Sequence, residues 1–141
     1  MESLIIINGP NLNLTGERET KFYGKVSFED FLEELRTIFP KIKIDYFQSN
    51  VEGEIINRMH EAMLEHNAII LNAAAYTHTS VAIGDAVKAI DIPVIEVHIS
   101  NVFQREDFRH VSYIAPHCVG SIAGFGFDSY RMAIEHLIRK K

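Results

Sequence analysis

At 141 residues, with 47% hydrophobic and 23% charged residues, the chain has the length and composition of one globular domain that buries a real core. A formal net charge of -5 argues against a general nucleic-acid or anionic-membrane surface, and no apolar run approaches the ~18 residues of a membrane span. The start Met1-Glu2-Ser3 lacks the basic region of a signal peptide, and the lone Cys118 rules out an internal disulfide. A reducing, cytoplasmic setting is therefore expected.

The apolar run Leu4–Ile7 predicts strand 1. It opens into "NGPNLNLTGERETKFYG", residues 8–24, a loop too long to be a simple connection and too rich in Leu and aromatic residues for disorder. We read it as a working loop. Ser27 is a predicted N-cap with Asp30 three residues on. Phe28, Phe31, Leu32, Leu35, Ile38 and Phe39 follow at helical spacing, and Pro40 ends the run. Ile42, Ile44 and Tyr46 alternate with Lys43 and Asp45 as strand 2, near the sheet edge. Ile55, Ile56, Met59 and Met63 mark a second helix, and Ala68–Leu71 a third strand. Val81, Ala82, Ala86, Val87 and Ile90 are expected to form the buried face of a third helix. Val94–His98 and Val119–Ala123 read as strands 4 and 5, before a final helix over Asp128–Ile138.

Strands alternating with helices imply right-handed crossovers and a parallel sheet covered on both faces. Five strands at this length favour an α/β, flavodoxin-like, doubly wound sheet of order 2-1-3-4-5, with residues 1–141 forming a single domain. Ligands of such sheets bind beyond the carboxyl ends of the strands. The segments expected there are 8–24, 48–52, 72–80, 98–110 and 124–127, which hold nearly every unusual polar residue of the chain.

In "NAAAYTHTS" (72–80), Thr79 or Ser80 is expected to cap the third helix. Capping does not account for Asn72 and His78, whose amide and imidazole suit a ligand rich in hydroxyls or carboxylate. In "IEVHISN" (95–101), Glu96 and His98 are two apart on a strand and so share a face. A carboxylate beside an imidazole fixes its tautomer and favours its protonated form, which makes His98 a candidate general acid. A purely structural pair is the alternative. A metal set of Glu96, His98, His78 and Asp85 is another, but it has no HxH or HExxH spacing. His60, His66 and His136 are expected within helices as solvated or core residues. The glycines of "GFGFD" (124–128) lack the third glycine and the position of a dinucleotide fingerprint, so they are read as packing glycines.

Tyr23 and Arg18 lie five apart in the long loop. An unperturbed phenol has a pKa of about 10, and lowering it by about three units takes roughly 4 kcal/mol. A guanidinium at ~4 Å supplies that only in a partly desolvated setting. A tyrosinate base thus requires closure of the loop and a second cation, with Arg105 and Arg109 as candidates. Two other classes remain open. A non-catalytic receiver would need acids after strand 1, where Asn8-Gly9-Pro10-Asn11 stands; a metal-dependent lyase or hydrolase would use His78 and His98.

The stretches "INGPNLNLTGERETKFYG", "QSNVEGEII", "NAAAYTHTS", "IEVHISN" with "REDFRHVSY", and "GFGFDSY" together resemble the type II 3-dehydroquinate dehydratases, in order and spacing, over essentially the whole chain. The resemblance implies dehydration of 3-dehydroquinate to 3-dehydroshikimate in the shikimate pathway, by anti elimination through an enolate, with no cofactor, metal or Schiff base. By matched position it implies Tyr23 as the base at C2, held as tyrosinate by Arg18. His98 would be the acid on the C1 hydroxyl, oriented by Glu96, and Asn11 would hold a water at the enolate. Asn72 and the backbone at Ile99 and Ser100 would bind the carboxylate; His78 and Arg109 would bind ring hydroxyls. Asp85 would approach a neighbouring subunit's site in trimers grouped as a dodecamer. Thr15, Thr20, Ala73 and Gly84 depart from the family's usual Leu, Pro, Pro and Arg.

Overall fold

A computed structural model describes residues 1–15 and 26–139. Strands β1 (Ser3–Asn8), β2 (Lys43–Gln48), β3 (Ile69–Asn72), β4 (Val94–His98) and β5 (Gly120–Ala123) form one all-parallel sheet in the order 2-1-3-4-5. The helices are α1 (Phe28–Ile38), α2 (Glu52–Glu65), α3 (Val81–Ala89) and α4 (Asp128–Arg139). The flavodoxin-like order expected from the strand count is the observed one, and β2 is an edge strand. Tyr23 and Arg18 lie outside the described residues.

Alternation along each strand assigns side chains to two cores. Leu4 and Ile6 of β1, Ile44 of β2, Ile70 of β3, and Ile95 and Val97 of β4 pack under α1 and α4. Ile5 and Ile7, Ile69 and Leu71, and Val94 face α2 and α3. The same parity carries on to the strand ends. Asn8 and Asn72 therefore close the α1/α4 face, while Glu96 and His98 close the α2/α3 face.

The predicted cap is present: the Ser27 side chain accepts the Asp30 N–H at 3.1 Å, an interaction typically worth about 1 kcal/mol. Phe28, Phe31, Leu32 and Leu35 are buried, but Ile38 is 46% exposed, so the helix turns its last apolar residue outward. Phe28 is the centre of an aromatic cluster, with ring centroids 5.0 Å from Tyr46, 5.4 Å from Phe127 and 5.0 Å from Tyr130. Such pairs add to burial through their edge and face electrostatics, and here they fix the rotation of α1 against α4.

One expectation is narrowed and others are corrected. Of the two candidate caps for α3 it is Ser80 that accepts, from Ile83 N–H at 2.9 Å. Val81 and Ala82 are exposed, and Ile83 and Gly84 are buried in their place. The apolar stripe of this short helix is wider than the sheet can cover, and packing chose its far side. His66 is not helical: it caps α2 and, 5% exposed, bonds Asp45 Oδ2 through Nε2 at 2.8 Å. Gly124 and Gly126 adopt φ of 98° and 62°, so backbone conformation, not packing alone, selects glycine there.

Gly9 shows a close approach that matters for the site. Its N–H donates to the Asn72 carbonyl at 2.7 Å, and a Cβ would stand 2.6 Å from the Ala73 carbonyl oxygen. Both partners are backbone, so Gly9→Ala is expected to lose about 1–3 kcal/mol, the usual cost of overpacking. Gly53, in the first turn of α2, has nothing within 4 Å of such a Cβ. Gly53→Ala is expected to gain a few tenths to about 1 kcal/mol from helix propensity. Urea midpoints of the two variants, moving in opposite directions, check the pair.

Candidate active site

A cleft of about 110 Å³ lies beyond the carboxyl ends of β1, β3 and β4, lined by Asn11, Asn72, His78, His98, Ser100 and Arg109, together with Arg105 and the backbone around Ile99. The cleft lies at the edge where the topology rule expects a site, and these predicted residues come together in it. Asp85 does not join them. It is exposed on α3 and lies outside the cleft lining of its own protomer.

Strand β4 delivers the acid-base pair as its alternation requires. Glu96 is 2% exposed and His98 8% exposed, with Glu96 Oε1 at 3.2 Å from His98 Nε2. Two hydroxyls complete the carboxylate: Ser112 Oγ donates to Oε1 at 2.6 Å and Ser121 Oγ to Oε2 at 2.5 Å. Burial pushes this carboxyl up, but the bonds from His98, Ser112 and Ser121 with the His98 charge outweigh it, leaving it below its ordinary value. Glu96 is therefore an anion that locks His98 through Nε2, and Nδ1 remains the ring nitrogen for the cleft.

That shift has a sign in stability. A carboxyl lowered in the folded state contributes stability above its unfolded value, and loses it as pH falls through the folded one. Glu96→Gln removes the titration. Its stability deficit relative to the parent chain should shrink as pH is lowered from 7 towards 3, read from urea midpoints. A deficit independent of pH would show that Glu96 is not held ionised.

His78 sits beside the pair, its ring centroid 6.1 Å from that of His98 at 20°. Nδ1 is 2.7 Å from the Val111 carbonyl oxygen, and a carbonyl only accepts, so Nδ1 carries the proton. Burial lowers the imidazole from its ordinary value, and the charges of His98 and Arg109 lower it further, against the upward pull of the Val111 bond. A neutral His78 then offers Nε2 as an acceptor, which suits a hydroxyl. Arg109 is oriented by Glu106 and lies over the Phe108 ring, Cζ 4.9 Å from its centroid. Arg105 Nη1 donates to Ser100 Oγ at 3.4 Å.

The amide side of the cleft was only partly foreseen. Asn8 pairs in register with both Gln48 and Asn72, so three amides end adjacent strands. Asn11 holds a left-handed conformation, φ 68°, with its N–H on Asn50 Oδ1 at 2.9 Å. Ala74, also in the lining, has φ 51°. Positive φ at a non-glycine residue costs of order 1 kcal/mol or more and collects at functional sites. The sequence reading did not single out Ser112, Ser121 or Tyr130. Ser112 and Tyr130 stand within stretches that carried the resemblance but were given no role, and Ser121 stands in none, because each meets its partner from a distant element. Thr15 is buried with its hydroxyl on the Leu12 carbonyl at 3.2 Å, so this departure costs no unpaired polar group. A Cβ at Gly84 would lie 2.4 Å from the Tyr113 carbonyl oxygen; the segment above α3 rests directly on that glycine.

Among the described residues no group of three or more His, Cys, Asp or Glu side chains is gathered to hold a metal, and no helix is long and apolar enough to cross a membrane. A family model, dehydroquinase class II, matches residues 2–138. The chain belongs to this family. Proteins named 3-dehydroquinate dehydratase from Caldicellulosiruptor bescii and Acaryochloris marina are 53% and 49% identical to it, over 95% and 96% of the chain and 94% and 93% of their own lengths. The crystal structure of the type II dehydroquinase from Butyrivibrio crossotus superposes with a TM-score of 0.93 at 43% identity, covering 96% of this chain and 97% of that one. That from Propionibacterium acnes gives 0.94 at 33% identity, covering 99% and 98%. Membership in the class II dehydroquinases agrees with the resemblance carried by the motifs.

Proposed function

We propose that the chain dehydrates 3-dehydroquinate to 3-dehydroshikimate, an anti elimination through an enolate. The observation that carries the reading is the Glu96–His98 pair opening onto a cleft of amide, guanidinium and imidazole groups in a class II dehydroquinase. A small molecule with one carboxylate and several hydroxyls matches those donors and acceptors.

In this mechanism the Tyr23 phenolate takes the proton from C2, with Arg18 holding it as an anion. Electrons move into the C3 carbonyl, and a water held by Asn11 stabilises the enolate oxygen. Collapse of the enolate expels the C1 hydroxyl, which leaves as water on taking the proton of His98 Nδ1. Glu96 balances the imidazolium before that transfer and keeps the ring aimed. Asn72 and the backbone at Ile99 and Ser100 take the carboxylate, while His78 and Arg109 take ring hydroxyls. Asp85 reaches a neighbour's site in a trimer, and trimers group as a dodecamer. Exposed Phe103, Phe108, Val111 and Tyr113 support burial of this face against another subunit.

Adding 3-dehydroquinate should produce the ultraviolet absorbance of the conjugated enone; no change at high protein concentration would sink the reading. The turnover should persist after exhaustive chelation, since the donors among the described residues do not form a metal set. Activity that vanished with chelator and returned with zinc would instead favour a metal-dependent lyase.

A further inference from the structure

The Tyr130 phenol, on α4, is fully buried behind Asn72 of the cleft lining and joins two strand ends that are far apart in sequence. Its Oη donates to Asn8 Oδ1 at 2.8 Å and accepts from Asn72 Nδ2 at 2.8 Å. Asn8 Nδ2 in turn faces Tyr46 Oη at 3.4 Å. The aromatic cluster around Phe28 holds the Tyr130 ring in place. On the other side, Asn72 Oδ1 accepts the Ala74 N–H at 3.1 Å.

These bonds have a direction. A phenol has one proton, and here Asn8 takes it, because Asn8 presents its carbonyl oxygen. What Tyr130 then offers Asn72 is a lone pair, so the amide must turn its NH₂ group inward to the phenol and its oxygen to Ala74. One N–H of Asn72 is left, with no partner among the described residues, in a side chain that lines the cleft. The reverse amide orientation would present an oxygen and repel an anion.

We infer that Tyr130 is a positioning residue for substrate binding: its buried phenol, polarised by Asn8, sets the Asn72 amide so that a donor faces the substrate carboxylate. This rests on the proposed role of Asn72 as a carboxylate ligand. The phenol touches no reacting atom, so its loss should weaken ground state and transition state alike, which raises KM and spares kcat.

The test is steady-state kinetics with 3-dehydroquinate on Tyr130→Phe, Asn72→Ala and the double variant. Tyr130→Phe should raise KM about 3- to 10-fold with kcat within about 2-fold, the size expected for a weakened hydrogen bond to an anion. Asn72→Ala should raise KM at least as much, and the double variant should be no worse than Asn72→Ala alone, because the phenol reaches the substrate through the amide. An unchanged KM in Tyr130→Phe, whatever its urea midpoint, overturns the inference, as does an additive double variant. An unchanged KM in Asn72→Ala would instead remove Asn72 from the carboxylate site, a separate failure. Should Tyr130→Phe fold poorly, Asn8→Ala interrogates the same hydroxyl from its other end. Without that acceptor the O–H is free to turn on Asn72, and KM must rise in the same way or the inference falls.

Discussion

Tyr23→Phe should lower kcat by about 10²–10⁴ with KM little changed, the loss expected when a general base is removed and the ring retained. Folding and assembly should be unaffected, because only the phenol oxygen goes. Arg18→Ala should behave differently if the guanidinium holds the phenolate. Its activity should move to higher pH, with the acidic limb of the rate profile displaced upward, since tyrosinate then forms only in more alkaline solution. Arg105 and Arg109, both in the cleft lining, are placed to supply part of the positive field and would keep some activity in that variant. A loop that merely excluded water would lose activity evenly across pH in both variants. Profiles of kcat against pH for the two separate these accounts, and an unshifted limb in Arg18→Ala would defeat the phenolate mechanism.

For His98→Ala the expected loss in kcat is also about 10²–10⁴, the usual size for a general acid. Binding should suffer less, because the carboxylate contacts proposed for Asn72 and the backbone after β4 do not depend on the imidazole. The geometry adds a condition. With Nε2 engaged by Glu96 at 3.2 Å, only Nδ1 can serve the leaving hydroxyl, so His98→Gln, which cannot reproduce a charged two-nitrogen bridge, should be nearly as poor as alanine. A variant that kept near-normal kcat would reduce the Glu96–His98 pair to a structural ion pair and move the acid elsewhere.

Much of this site could be read before any coordinates. Alternation by two along "IEVHISN" put Glu96 and His98 on one face, and the strand-helix alternation put that face at a carboxyl edge. What sits behind the pair could not be read. Ser112 comes from the loop before β5 and Ser121 from β5 itself; no local periodicity assigns either hydroxyl to Glu96. The α3 face was misjudged for a related reason. Apart from Asp85 and Lys88 the helix has no charged residue, so periodicity leaves its rotation undecided, and contact with α2 and the Tyr113 segment decided it.

The order of elements, the parallel sheet, the edge that holds the candidate site and the strand residues that share a face all follow from local periodicity and chain connectivity. Which distant groups meet there depends on the packed fold. Tyr130 lies 122 residues from Asn8 and 58 from Asn72, and it reaches both because a cluster of aromatic rings sets the rotation of α4 against the sheet. Periodicity states which face of an element is buried; the partner that a buried polar group finds depends on how two packed surfaces are registered, and that is a property of the whole fold.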